Sequence, residues 1–223
     1  MSEISRGTLL GSEAAAPCRH HAQVTGIRRR LLLTRLLGVG ALVLVLVSGS
    51  RWSIRGPELM GELLFAVGLM VAVSGFLGRL WALCHVGDRK KRELVTTGPY
   101  SMCRHPLYFF SMVGGVGLGL CTERLAVAAF FLILCAIFLP AWLRSEERYL
   151  DERFAAYAEY RRAVPALLPR WGLLRNPESV TVNSRTLRKA LLDSAGFLVL
   201  LGGLELIEGL QAAALLPHLF LLP

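Results

Sequence analysis

Apolar residues run along this chain in long blocks, and the polar residues gather between them. Four blocks are clear, at about 31–49, 58–78, 107–121 and 125–143. A fifth, 190–208, carries Asp193, Glu205 and Glu208 near its ends. The stretch LLGVGALVLVLVS inside the first block is long enough to cross a hydrocarbon layer of roughly 30 Å as a helix. The blocks predict an all-α protein, a polytopic membrane helical bundle of about five transmembrane helices. The tail 209–223 is apolar again but interrupted by Pro217. A short sixth helix, a re-entrant piece and an interfacial helix all remain open for it.

The basic residues orient these spans. Lys and Arg number six up to Arg35, two in 50–57, six in 79–106, one in 122–124 and ten in 144–189. Rich and poor connections alternate, and the rich ones are expected on the cytoplasmic side. The N-terminus is then cytoplasmic. The hairpin 107–143 enters from and returns to the same side, so its flanks, 79–106 and 144–175, meet there. That meeting point is the expected place for chemistry.

Composition agrees with the pattern. Of 223 residues, 54% are hydrophobic, too many for an ordinary soluble domain. A net charge of +9 is compatible with nucleic-acid binding, but its basic residues lie between apolar blocks. That distribution indicates a membrane protein with no nucleic-acid partner. The five cysteines include no C-x-x-C, and Cys84-His85 and Cys103-x-His105 match no zinc spacing, so no metal is expected. Residues 1–30 read as a disordered basic arm, 31–189 as a membrane core and 190–223 as a C-terminal membrane segment. A cleaved signal is not expected, because the first block ends in SGSRW. Gly114, Gly115, Gly117 and Gly119 lie in the third block without the preceding strand of a phosphate cradle, and predict close helix packing.

The first flank reads DRKKRELVTTGPYSMCRHPLY. Gly98-Pro99 marks a turn, and Pro106 biases His105 toward extended backbone. Pro106 also suits the first turn of a helix beginning near Leu107, whose N-terminus offers N–H groups to an anion. Arg104 adds a two-pronged donor, His105 a titratable one, and Tyr100 and Tyr108 faces that attract cations. A positive-inside anchor with interfacial tyrosines is the plainer reading. The second flank, LRSEERYLDERFAAYAEYRRAVPALLPRW, is helical in pattern up to Val164-Pro165, with Leu150, Phe154 and Tyr157 on one face. Glu146 and Glu147 begin it. They either complement the helix dipole or contact ribose hydroxyls or a cationic ligand.

As a pair, ELVTTGPYSMCRHPLY and SEERYLDERFAAYAEYRRAVPALLPRW resemble the isoprenylcysteine carboxyl methyltransferase and phospholipid methyltransferase family. The resemblance covers roughly residues 58–171. It implies an integral membrane enzyme with a cytoplasmic S-adenosyl-L-methionine pocket formed by motifs at 92–108 and 144–171. A lipophilic or small-molecule methyl acceptor would arrive from the membrane lipids. By alignment of the motifs, cofactor contacts fall on Arg92, Glu93, Leu94, Val95, Tyr100, His105, Pro106, Leu107, Tyr108 and Glu146. Arg104 and Glu147 would be the catalytic neighbours that shape the pocket or meet the acceptor. The substrate-reading arginine of the eukaryotic enzymes aligns with Trp142, with Arg144 nearby, and this puts a prenylcysteine substrate in doubt. Ala155 replaces a glycine common in the family. Carboxylate O-methylation is favoured over transfer to a phospholipid amine or a thiol. Two alternatives stand. One is an NADPH-dependent steroid or enoyl reductase, whose similar element reads R-H-P-N-Y with a later Glu; Leu107 and Ser111 occupy those places here. The other is a non-enzymatic membrane scaffold.

Overall fold

The computed structural model describes residues 58–87, 93–180 and 182–213, with Gly40 and the short segments 48–50 and 220–222. The predicted N-terminal arm, nearly all of the first span, and Arg92 lie outside the described residues. Every element below belongs to the unit Val45–Pro223.

The described part is helical, as the apolar blocks require. Helix α1 (Glu58–Val86) and helix α4 (Leu125–Arg153) each have 29 residues, and helix α6 (Ser184–Ala212) has 29 as well. All three are long and apolar enough to cross a membrane. Helix α3 (Pro106–Cys121) has only 16 residues, about 24 Å of rise, which is less than the hydrocarbon thickness. The polar motif at its start is therefore held close to the apolar layer. Helices α2 (Pro99–Met102) and α5 (Tyr157–Ala163) are short and flank α3 and α4 outside the spans. Ser48–Ser50 pairs in parallel with Phe220–Leu222, which puts a short strand in the apolar tail.

Two boundaries differ from the sequence reading. Helix α1 runs on to Val86, so Arg79 and His85 belong to a helix rather than to the 79–106 connection. Helix α4 passes through Pro140 without a break and ends at Arg153, with Phe154 extended. Glu146 and Glu147 thus lie inside a helix, and the idea that they complement a helix start is overturned. The expected single helix up to Val164 is instead two, and its expected face is divided at Phe154.

Small residues explain how α3 is held. Gly68, Ala72 and Gly75 of α1 face Gly114, Gly117 and Cys121 of α3, and a methyl group added at Gly75 would run into the Gly114 backbone. Backbone-to-backbone approach of this kind replaces hydrophobic driving force in lipid, where apolar side chains gain little by leaving the chains around them. Gly119 makes a similar approach to Ala128 of α4, and Gly115 receives the Phe131 ring. The glycines singled out in the third block thus serve packing, as expected. Their partners on α1 escaped the sequence reading. The α3–α4 turn is closed by Thr122 Oγ1 donating to Gly119 O at 2.7 Å. Arg124 Nη2 then donates to Gln211 Oε1 of α6 at 3.0 Å.

Candidate functional site

The site is built on a backbone clasp between the two flanks. Arg104 N donates to Pro165 O at 2.9 Å, His105 N to Ala166 O at 3.1 Å, and Arg170 N to Met102 O at 3.1 Å. Gly98 N donates to Arg175 O at 2.8 Å. Gly98 has φ 62°, a left-handed value, and its missing side chain leaves room for the buried His85 ring. No other residue type meets both demands. The Tyr160 hydroxyl closes the layer by donating to Tyr100 O at 2.6 Å.

This clasp sets the start of α3 against the extramembrane end of α4. Arg104 Nη1 lies 3.0 Å from Glu147 Oε1. His105 Nε2 is 3.3 Å from the same oxygen, and its Nδ1 is 3.8 Å from Glu146 Oε2. Arg161 Nε reaches Glu147 Oε2 at 3.9 Å from α5. The two glutamates differ in setting: the Glu147 side chain is 12% exposed and held by three cationic or polar groups, whereas that of Glu146 is 39% exposed. Arg104 Nε is buried and has no hydrogen-bond partner among the described residues. A donor in that position is costly unless something else accepts from it.

Burial sets the protonation states. It lowers the His105 pKa, against the opposing pull of Glu146 and Glu147. In the neutral tautomer whose Nε2–H donates to Glu147, Nδ1 is left as an acceptor beside Glu146. Burial, then the Glu146 charge, raises the Tyr100 phenol far above its usual range. Burial pushes Tyr157 up to about 12, helped by Glu147. Both phenols are neutral donors at physiological pH.

The predicted residues separate into groups. Arg104, His105, Glu146 and Glu147 converge. The Tyr108 ring meets His105 edge-on at 5.9 Å, and the buried Pro106 and half-buried Leu107 form the first turn of α3. Leu107 O also accepts from Ser111 Oγ at 2.6 Å. Leu94 instead lines an open groove of about 340 Å³ with Thr96, Ser101, Tyr160, Val164 and Arg175. Val95 is half-buried and Glu93 exposed. Trp142 stacks on Phe138 one helical turn before Glu146, and Arg144 is exposed; neither is brought into the cluster. The free N–H groups expected at the α3 start are largely used, since Tyr108 N and Phe109 N both donate to His105 O.

Three residues near the site were not read as site residues from the sequence. Tyr157, fully buried, places its phenol beside Arg104 and Glu147. Arg161 joins the carboxylate from α5. Arg79 donates to Ser111 across the α1–α3 contact and acts electrostatically on Tyr100. A lone cation late in an apolar helix was the available signal for Arg79.

The arrangement defines a helical membrane protein whose polar centre joins the extramembrane ends of two neighbouring helices. Comparison with known proteins gives the family. Residues 57–157 match the phospholipid methyltransferase family. The chain is 36% identical over 196 residues to the nickel-cobalt-cadmium resistance protein NccN of Alcaligenes xylosoxydans xylosoxydans, covering 88% of this chain and 91% of that one. It is 37% identical over 171 residues to the cobalt-zinc-cadmium resistance protein CzcN of Cupriavidus metallidurans, covering 77% and 78%. Protein-S-isoprenylcysteine O-methyltransferase B of Arabidopsis thaliana is 30% identical over 114 residues, half of this chain and 55% of that one. No solved structure matches the chain. The chain belongs to the phospholipid methyltransferase and isoprenylcysteine methyltransferase family of membrane proteins.

Proposed function

We propose that this protein is an S-adenosylmethionine-dependent methyltransferase of the membrane, acting on a lipophilic acceptor from its cytoplasmic face. The observation that carries this reading is the convergence of Glu146 and Glu147 with Arg104 and His105 at the foot of two membrane helices. The donor set suits the cofactor. Glu146 is the accessible carboxylate, and beside it His105 Nδ1 accepts, so one ribose hydroxyl pair could be read by both. Tyr108 offers a ring face to a cation. Bound there, the cofactor supplies an electrophilic methyl group. The chain's own residues orient the reactants and exclude water, which is most of what such a displacement needs. Glu147 holds Arg104, which presents its positive charge to an acceptor carboxylate. A carboxylate acceptor is already ionised and needs no base, which favours O-methylation over transfer to an amine or a thiol.

Titration of the detergent-solubilised protein with S-adenosylhomocysteine, with NADPH in parallel, tests the reading. Binding of the former alone supports it. Binding of NADPH alone would move the protein to the reductases, and binding of neither by folded protein would favour a scaffold. The names of NccN and CzcN supply a setting: methylation by this protein would serve resistance to metals such as cobalt and cadmium, which both names share. In this reading the protein holds no metal of its own. Metal sensitivity of a deletion strain, with and without a Glu146→Gln copy, tests the setting, and elemental analysis of purified protein tests the metal content.

A further inference from the structure

We propose that residues 167–175 are an interfacial anchor that seats the clasp in the headgroup–acyl boundary of the bilayer. The segment LLPRWGLLR joins α5 to α6 and is not part of a spanning helix. It nevertheless exposes large apolar side chains: Leu168 is 70% exposed, Trp171 64% and Leu174 37%. Trp171 begins a single 3-10 turn (Trp171–Leu173), and nothing packs near Gly172, so the tip is open.

The occupant follows from what surrounds this tip. The chain leaves a membrane span at Arg153 and enters another at Ser184, so a bilayer surface lies near both ends of the connection. Between Arg161 and Asn176 there are four arginines and no Asp or Glu. Arg161, Arg162, Arg170 and Arg175 are all exposed. Apolar side chains with Trp at the centre and arginines around them match an anionic lipid interface, where the rings sit at headgroup depth and cations meet phosphates. A protein partner would not require the uniform positive charge.

The anchor has a mechanical connection to the site. Arg170 N is bonded to Met102 O, and the residues just before the anchor are bonded to Arg104 and His105. The depth at which Trp171 sits therefore fixes the depth of the Arg104–His105 pair. This inference rests on the membrane placement alone and stands whether or not the protein transfers methyl groups.

The test uses full-length protein carrying Trp52→Phe, Trp81→Phe and Trp142→Phe, which leaves Trp171 as the reporter. It is reconstituted in phosphatidylcholine–phosphatidylglycerol vesicles with chains brominated at different depths. Blue-shifted emission, quenched most by bromines near the glycerol backbone, is expected. Unquenched emission typical of water, or strongest quenching by bromines near the chain ends, overturns the proposal. Since the triple substitution could prevent folding, a second variant replaces Leu168 with the photocrosslinker p-benzoylphenylalanine in the otherwise native chain. Lipid adducts on irradiation support the anchor. Adducts to a second copy or to another protein, or no adducts, overturn it.

Discussion

His105 and Glu147, 42 positions apart in sequence, face each other across 3.3 Å. One caps a short helix and the other lies late in a long one, so the contact records how the two flanks fold together. Because Arg104 and Arg161 converge on the same carboxylate, Glu147 acts as the knot of the cluster and Glu146 as its open edge.

Glu147→Gln should therefore lower stability. It leaves the Arg104 guanidinium, 10% exposed, without its counter-charge, a loss of about 3 kcal/mol. Glu146→Gln should leave the thermal midpoint nearly unchanged yet weaken S-adenosylhomocysteine roughly ten- to a hundredfold, as expected for one charge-assisted hydrogen bond. Thermal unfolding in detergent and calorimetry read the two effects separately. The reverse pattern would exchange their roles.

The lowered His105 pKa gives a pH dependence of fixed sign. The unfolded ring titrates near 6.5 and the folded one below it. The unfolded chain binds the extra proton in between. Stability from this group is thus full above about pH 6.5 and falls with acidification until the folded pKa is passed, by at most about 1.4 kcal/mol per pH unit. His105→Gln should flatten the fall in a series of melts taken from neutral to mildly acid pH.

Gly75 and Gly203 make a contrast. A methyl group at Gly75 meets the α3 backbone, whereas nothing lies within 4 Å of one at Gly203. Gly75→Ala should cost about 1–3 kcal/mol through forced separation of α1 and α3. Gly203→Ala should be neutral or slightly stabilising. Equal effects would mean that the α1–α3 contact tolerates a wider spacing.

Tyr160→Phe removes the hydroxyl that donates to Tyr100 O. A loss of about 1–3 kcal/mol is expected, because the buried carbonyl is left unpaired. Cofactor affinity should fall as well, since Tyr100 loosens. Hydrogen exchange at residues 98–105 would show the loosening directly, and unchanged protection there would place the clasp elsewhere.

The number of described spans and the meeting of the two flanks were legible because both follow from long apolar blocks and from charge asymmetry, which are additive along a chain. The ends of α1 and α4 were not. Arg79 looks like a loop residue and Glu146 and Glu147 like the start of a new helix by polarity, yet helical hydrogen bonding continues through all three once neighbouring helices take up their side chains. Arg104, His105, Glu146 and Glu147 were named from paired motifs. Tyr157, read only as part of an apolar face, and Arg161 were missed as site residues because their approach depends on the break at Phe154, which has no proline or glycine to mark it. The apolar partners Gly68, Ala72 and Gly75 were hidden for another reason: a small residue in an apolar block gives no sign of which face it occupies.

Because α4 is one continuous helix from Leu125 to Arg153, its apolar span and its carboxylates belong to a single element. Glu147 stands about 33 Å from the far end of that helix by helical rise, while His105 opens the shorter α3 and is bonded through its backbone to Ala166. A thinner bilayer favours tilting of such a long helix, and tilt loads the contact between Glu147 and His105 without any ligand. Lipid chain length thereby becomes a setting for the site, and the same chain placed in membranes of different thickness would present differently spaced charges.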